Sequence, residues 1–304
     1  MRLEHLPEPP LEFGEAPFSN YEIFEPVYGL ARFGPYDCTH GRKFSTLTAV
    51  AVGPQSQKDA FYALWNNLTK GVERQQYEPD YKDGFASLYR LEECKLTQDH
   101  EGYIAIDDFP GQTENKYQSA ITYAKGNLQF DILYIIEPEQ NIYYLHDLLK
   151  RNCINLGVFS QYLERDTLGR SNQGSVLHNI AVAMYAKAGG MPWRVKYPTI
   201  NNSCTLGLSF HLVRSKDSSQ PTRTIIGIAE VLDEYGQHLS MKVSQANILQ
   251  EAIKQFEREF RSLYVPKDLM ESLVKNSLQS TQWPGRTPPQ RLIIHKTTPL
   301  SLIF

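Results

Sequence analysis

Residues 175–193 read SVLHNIAVAMYAKAGGMPW, and this stretch divides the chain. Val176, Leu177, Ile180, Ala181 and Met184 recur at helical spacing, so one stripe of a helix is apolar. The helix carries Lys187 in its last turn, where a cation complements the backbone dipole, and it stops on Gly189-Gly190. Pro192 and Trp193 follow at once. A glycine cap, a dipole-complementing lysine and a core tryptophan explain the stretch taken alone. The texture of the chain differs on its two sides, however, and that makes the Gly-Gly pair a domain boundary.

Upstream, residues 1–41 are rich in proline, glycine and aromatics and read as an irregular, extended lead. RKFSTLTAVAVGP (42–54) predicts a strand closed by a Gly-Pro turn. QSQKDAFYALWNNLTKGV (55–72) predicts a helix with Ala60, Phe61, Leu64, Trp65 and Leu68 on one face. The polar run 74–112 offers a short strand near FASLYRL (85–91) and turn signals at DDFPG (107–111). ENKYQSAITYAKG (114–126) reads as a helix, FDILYIIEP (130–138) as a buried strand, NIYYLHDLLKRN (141–152) as a helix and NLGVFSQYLE (155–164) as a short strand with its exit. Alternating strands and helices imply a parallel sheet covered on both faces, Rossmann-like in outline.

Downstream, CTLGLSFHLVRS (204–215), TRTIIGIAEVLDE (222–234) and QHLSMKVSQ (237–245) predict three consecutive strands. The last two are joined at Asp233–Gln237, a run that reads as a solvated turn. Helices follow at 247–264 and 266–281, then a strand in RLIIHKTTP (291–299). Three antiparallel strands, helices and a further strand form the first part of a ribonuclease-H-like layout. The expected fold class is therefore α/β: a Rossmann-like domain over 1–190, then a partial ribonuclease-H-like domain over 191–304.

Composition narrows the function. A chain of 304 residues suits about two domains. A net charge of -3 gives no global nucleic-acid signature, so any such binding is local. Cys38, Cys94, Cys153 and Cys204 are far apart with no CxxC, which argues against structural zinc and for a reducing compartment. The start lacks a secretory apolar region, and no run approaches the roughly 18 apolar residues of a membrane span. The expectation is a soluble cytoplasmic protein with no membrane partner.

Four polar residues before the boundary suggest a site. His146 and Lys150 are four apart and share a helix face. Gln161 is placed just past the next short strand, and Lys187 ends its helix. In a parallel α/β domain, loops at the carboxyl ends of the strands converge on one crevice. Two lysines, a histidine and an amide gathered there would suit a terminal phosphate, whose oxygens accept charge-assisted hydrogen bonds. The plainer alternative is a solvated helix face and a loop-capping amide.

These segments, taken in order, resemble prokaryotic Argonaute proteins over nearly the whole chain. EPPLEFG with YGLARFGPYD is similar to the opening of the short, MID–PIWI type. LHDLLKRNCINLGVFSQYL resembles the family's 5′-phosphate segment, NIAVAMYAKAGGMPWRV its MID–PIWI junction, and RLIIHKTTP a late PIWI strand. The resemblance implies that His146 (where tyrosine is usual), Lys150, Gln161 and Lys187 hold a guide 5′-phosphate. A Mg²⁺ ion bridging that phosphate belongs to the same picture. Ala183 stands where some relatives carry a further lysine.

The same resemblance implies no slicing. LGLSF places Ser209 where the first metal-binding aspartate is expected, and the HKTTP strand offers Lys296, Thr297 and Thr298 near the third carboxylate position. A neutral hydroxyl does not replace a bridging carboxylate at a two-metal centre. No catalytic or metal-binding residue is therefore assigned. The chain ends at TTPLSLIF, short of a full PIWI domain, so the domain is expected to be truncated or completed by another chain. The implied function is guide-dependent recognition of invading nucleic acid in prokaryotic defence, with an RNA guide and a DNA target. An associated APAZ-containing protein with a TIR or sirtuin-like domain would supply the chemistry. A nuclease with a rearranged metal site and a non-functional fragment are the alternatives.

Overall fold

The computed structural model describes residues 8–16, 22–73, 76–107, 111–138, 144–197, 200–213, 223–243, 270–271, 274–275 and 289–296. The chain divides into two compact units, Met1–Trp193 and Arg194–Phe304. In the first, the elements run β1 (Leu11–Glu12), α1 (Pro26–Phe33), β2 (Thr46–Pro54), α2 (Lys58–Lys70), α3 (Gly84–Leu88), β3 (Glu93–Leu96) and β4 (Tyr103–Ile106). They continue with α4 (Thr113–Asn127), β5 (Ile132–Ile136), α5 (Leu145–Asn155), β6 (Ser160–Leu163), α6 (Arg165–Gly169) and α7 (Gly174–Lys187).

Strand β2 pairs in parallel with β3 and then β4 along one side and with β5 on the other, and β6 lies outside β5. The winding therefore reverses between β2 and β5, as in doubly wound α/β folds. Alternate residues of these two strands face opposite layers. Ala49, Ala51, Ile132, Tyr134 and Ile136 meet Phe61, Leu64 and Leu68 of α2 and Leu177, Ala181 and Met184 of α7. Val50, Val52, Leu133 and Ile135 meet Tyr117, Ile121 and Ala124 of α4 and Leu145, Leu149 and Cys153 of α5. A strand buried on both faces must be apolar at every position, which is why TAVAV and ILYII show no alternation.

Two segments depart from expectation. The irregular lead contains α1, which starts on Pro26, whose fixed φ suits a first helical turn, and ends at Gly34. FASLYRL is not a strand. It forms α3 and its exit, because Phe85, Leu88 and Tyr89 follow a helical period and all three are buried. The sheet strands of this region are instead the later ECKL and YIAI.

The second unit contains β7 (Arg194–Val195), β8 (Ser203–Val213), β9 (Arg223–Leu232), β10 (His238–Val243) and β11 (Arg291–Lys296). Strands β8, β9 and β10 form an antiparallel meander, and β11 adds in parallel beside β8. Cys204, Leu206, Leu208 and Val231 form the core, with Leu239, Met270, Val274 and Leu292 against it. The β9–β10 turn is not simply solvated. Asp233 is 3% exposed, and its Oδ1 accepts from the amides of Tyr235 (2.9 Å) and Gln237 (2.8 Å). The two helices expected at 247–264 and 266–281 lie mostly outside the described residues, as do Thr297, Thr298 and the C-terminal LIF; Met270, Glu271, Val274 and Lys275 are described, and all are helical.

The two-sided burial of β5 makes a prediction. Ile135→Ala should destabilise the protein by about 2–5 kcal/mol, the range for a buried isoleucine truncation. Urea unfolding measures it, and a loss under about 1 kcal/mol would mean the site is less enclosed than described.

Candidate nucleic-acid interface

The site begins at the outer edge of the sheet, where β6 has no further strand beside it among the described residues. The carbonyls of Phe159 and Leu163 accept from the amides of Leu133 and Glu137, both at 2.9 Å, so they point towards β5. Backbone groups alternate sides along a strand, and the carbonyls of Ser160 and Tyr162 therefore point outwards. A part-buried edge carbonyl needs a partner. Ser160 O accepts from two ammonium groups, Lys150 Nζ at 2.7 Å and Lys187 Nζ at 2.9 Å. Tyr162 O accepts from Gln161 Nε2 at 3.0 Å, and Gln161 Oε1 accepts from Lys187 Nζ.

Three separate elements deliver these groups. Lys150 lies midway along α5, Gln161 is the second residue of β6, and Lys187 is the last residue of α7. Helix α7 ends there because Gly189 takes a left-handed φ of +93°. Its amide donates to Ala186 O and that of Gly190 to Tyr185 O, each at 3.0 Å, the paired bonds of a Schellman cap. Gly190 has no alternative, since a Cβ there would meet the Tyr185 ring at 2.3 Å.

Lys150, Gln161 and Lys187 therefore come together, but not where expected. Gln161 lies within the strand rather than past it. The cluster occupies the outer edge of the sheet at the amino end of β6, not a crevice at the carboxyl ends, because the free carbonyls that attract the lysines are there. His146 does not join the cluster's hydrogen bonds. Its Nδ1 lies 2.9 Å from Asp147 Oδ1, and its ring stands edge-on to Tyr162 with centroids 4.9 Å apart. It is a neighbour through Tyr162. Sequence reasoning missed Ser160 because its contribution is a backbone carbonyl, which leaves no side-chain signature.

Two cations on one neutral oxygen repel each other. Among the described residues no carboxylate bonds either lysine. Burial lowers the pKa of Lys150 and, with repulsion from Lys150 as the second cause, brings that of Lys187 down to about 8. An anion at this point would offset the repulsion and part of the burial cost, and so raise both pKa values. The donor set does not suit a resident Mg²⁺, which requires hard oxygen ligands and would face two ammonium groups. Beside the cluster a groove of about 560 Å³ opens at the amino ends of β2, β5 and β6. Thr46, Thr48, Lys125, Asp131, Phe159 and Ala188 are among its walls, and none of the four residues expected at the site lines it.

The family model described as "Piwi domain" matches residues 131–298, more than half of the chain. The chain belongs to this Piwi-domain, Argonaute family. Solved structures similar to it include A. aeolicus Argonaute, at 14% identity and TM-score 0.54, covering 95% of this chain and 35% of that one. Marinitoga piezophila Argonaute in complex with 5′ OH guide RNA and target DNA aligns at 11% identity and TM-score 0.52, covering 95% of this chain and 39% of that one. Drosophila Piwi aligns at 16% identity and TM-score 0.50, with the same two coverages of 95% and 39%. The chain thus spans between a third and two-fifths of the length of each. No curated protein matches the sequence. No helix among the described residues is long and apolar enough to cross a membrane.

The shared carbonyl predicts how Lys187 titrates. Replacing Lys150 with Met should raise the Lys187 pKa above about 8 by removing the repulsion, while burial keeps it below 10.5. NMR of labelled lysine side chains reads this directly; an unchanged value would mean that the two ammonium groups do not interact.

Proposed function

We propose that the first unit is a MID-type domain that holds a nucleic-acid guide by its 5′-phosphate, and that the protein recognises a paired target without cutting it. The observation that carries this is the pair Lys150 and Lys187, half-buried, without a carboxylate among the described residues, converging on one oxygen. A terminal phosphate offers several charged acceptors in place of the single neutral one. Gln161 contributes an amide that turns to donate once Lys187 engages the ligand. The 5′ OH guide RNA and target DNA of the Marinitoga piezophila complex favour an RNA guide and a DNA target here, and they make the 5′-hydroxyl guide the natural control.

Absence of slicing rests on residue identity and register. Ser209 falls in β8 at an irregularity of the β8–β9 pairing, between Leu208 and Phe210. Strand β11 brings Lys296 beside Leu208, the residue before Ser209, and in the sequence Lys296 is followed by Thr297 and Thr298 rather than by a carboxylate. Two divalent cations need several carboxylates there. Target recognition is then passed to an associated effector protein of a defence system, the APAZ-containing partner, which supplies the chemistry.

Two predictions test this. Lys150→Ala and Lys187→Ala should each weaken a 5′-phosphorylated guide by about ten- to hundredfold, the equivalent of one charge-assisted hydrogen bond of roughly 1.5–3 kcal/mol. The 5′-hydroxyl guide should lose far less, and the salt dependence of phosphate-guide binding should flatten in both variants. Equal losses for the two guides would show that the lysines only track the backbone or cap the sheet edge. Separately, protein loaded with guide and matched target should leave the target intact in Mg²⁺ or Mn²⁺. Cut products that disappear on Ser209→Ala would establish a rearranged nuclease site instead.

A further inference from the structure

We propose that Asp37 is a positioning residue for the phosphate site, bracing the capped end of α7 across the Gly189–Gly190 turn with its carboxylate and so fixing where Lys187 points. The inference rests on the phosphate reading above and names the part of the fold that makes it work.

Asp37 is only 7% exposed, an unusual setting for a carboxylate. Oδ1 accepts from Tyr185 Oη at 2.6 Å and Oδ2 from the Met191 amide at 2.9 Å. Tyr185 lies two residues before Lys187 and Met191 four residues after it, so one side chain holds both ends of the segment that carries the lysine. The backbone adds to the clamp, with Tyr36 N donating to Pro192 O at 3.0 Å and Asp37 N to Met191 O at 3.4 Å. The Tyr185 ring is itself fixed, stacked on Tyr89 with centroids 4.4 Å apart. The far end of α7 is held by other means: Glu78 Oε2 accepts from Ser175 N at 2.9 Å, and His178 Nε2 lies 2.9 Å from Asp80 O.

A carboxylate suits this geometry, because both partners donate and it presents an acceptor oxygen to each. Asparagine keeps the Met191 bond only by turning its NH₂ towards Tyr185, whose hydroxyl must then reverse from donor to acceptor. Without the clamp, the two glycines are the least constrained pair in the segment, and Lys187, separated from them by Ala188 alone, loses its fixed exit. A charge-assisted bond to phosphate depends on placement within a few tenths of an ångström, so a loosened turn should be felt first by the phosphate.

The experiment uses the full chain and fluorescence-labelled oligonucleotide guides bearing 5′-phosphate or 5′-hydroxyl, with wild type, Asp37→Asn, Lys187→Ala and the double variant. The readout is the ratio of affinities for the two guides, which a merely global loss of stability would not move. Asp37→Asn should lower that ratio by about tenfold, the scale of one displaced charge-assisted bond. In the Lys187→Ala background it should lower it no further. Should Asp37→Asn fail to fold, Tyr185→Phe, which removes one of the two bonds, carries the same comparison. Equal weakening of both guides, or an undiminished effect in the Lys187→Ala background, would overturn the positioning role while leaving the phosphate reading intact. A Lys187→Ala ratio equal to that of wild type would instead sink the phosphate reading, and the role of Asp37 with it.

Discussion

Strand β5 is buried on both faces, and that constraint sets the position of everything that matters in the first unit. With no polar face, β5 requires a helical layer on each side, and α2 with α7 and α4 with α5 supply them. Helices α5 and α7 thus fall on opposite layers of the sheet. At the outer edge of β6 long side chains from both layers can meet, and Lys150 and Lys187 meet there on Ser160 O. The site follows from the layering: a lysine from each face reaches round the edge to the same carbonyl.

An edge carbonyl can be satisfied more simply than this. Water or a single hydroxyl would do, and natural sheets often protect an edge with one lysine. Two half-buried ammonium groups on one oxygen, with the pKa of Lys187 lowered to about 8, cost more than edge protection demands. That excess is why we propose a ligand site there rather than a structural cap. The Asp233 carboxylate, by contrast, has an ordinary structural use, since its Oδ1 accepts from the turn amides of Tyr235 and Gln237.

Much of this was legible in the sequence where the signal is local and repetitive. The unbroken apolar runs of β2 and β5, the stripe of α7 and its glycine stop each report their own environment. The lysines and Gln161 were legible as residues but not as a location, because spacing along the chain does not say which edge of a sheet a side chain reaches. FASLYRL failed for a different reason. Seven residues hold both a helical and an extended reading, and the helix prevails because Phe85, Leu88 and Tyr89 are all needed in the core. Ser160 and Asp37 were invisible in principle: one acts through its backbone, and the other lies 154 residues from the amide it holds.

The distance between Asp37 and its partners bears on how the unit behaves as a whole. The residue lies in the 3₁₀ turn Tyr36–Cys38, before the first long strand, and it braces the last turn of α7. The beginning and end of the unit are thereby joined at the point where the chain leaves for the second one. A hydrogen bond between residues this far apart in the chain exists only where the sheet between them brings its partners together. The position of Lys187 therefore depends on the fold of the whole unit and not on its own helix alone. An unfolded chain carries the same two lysines without the shared carbonyl that gathers them.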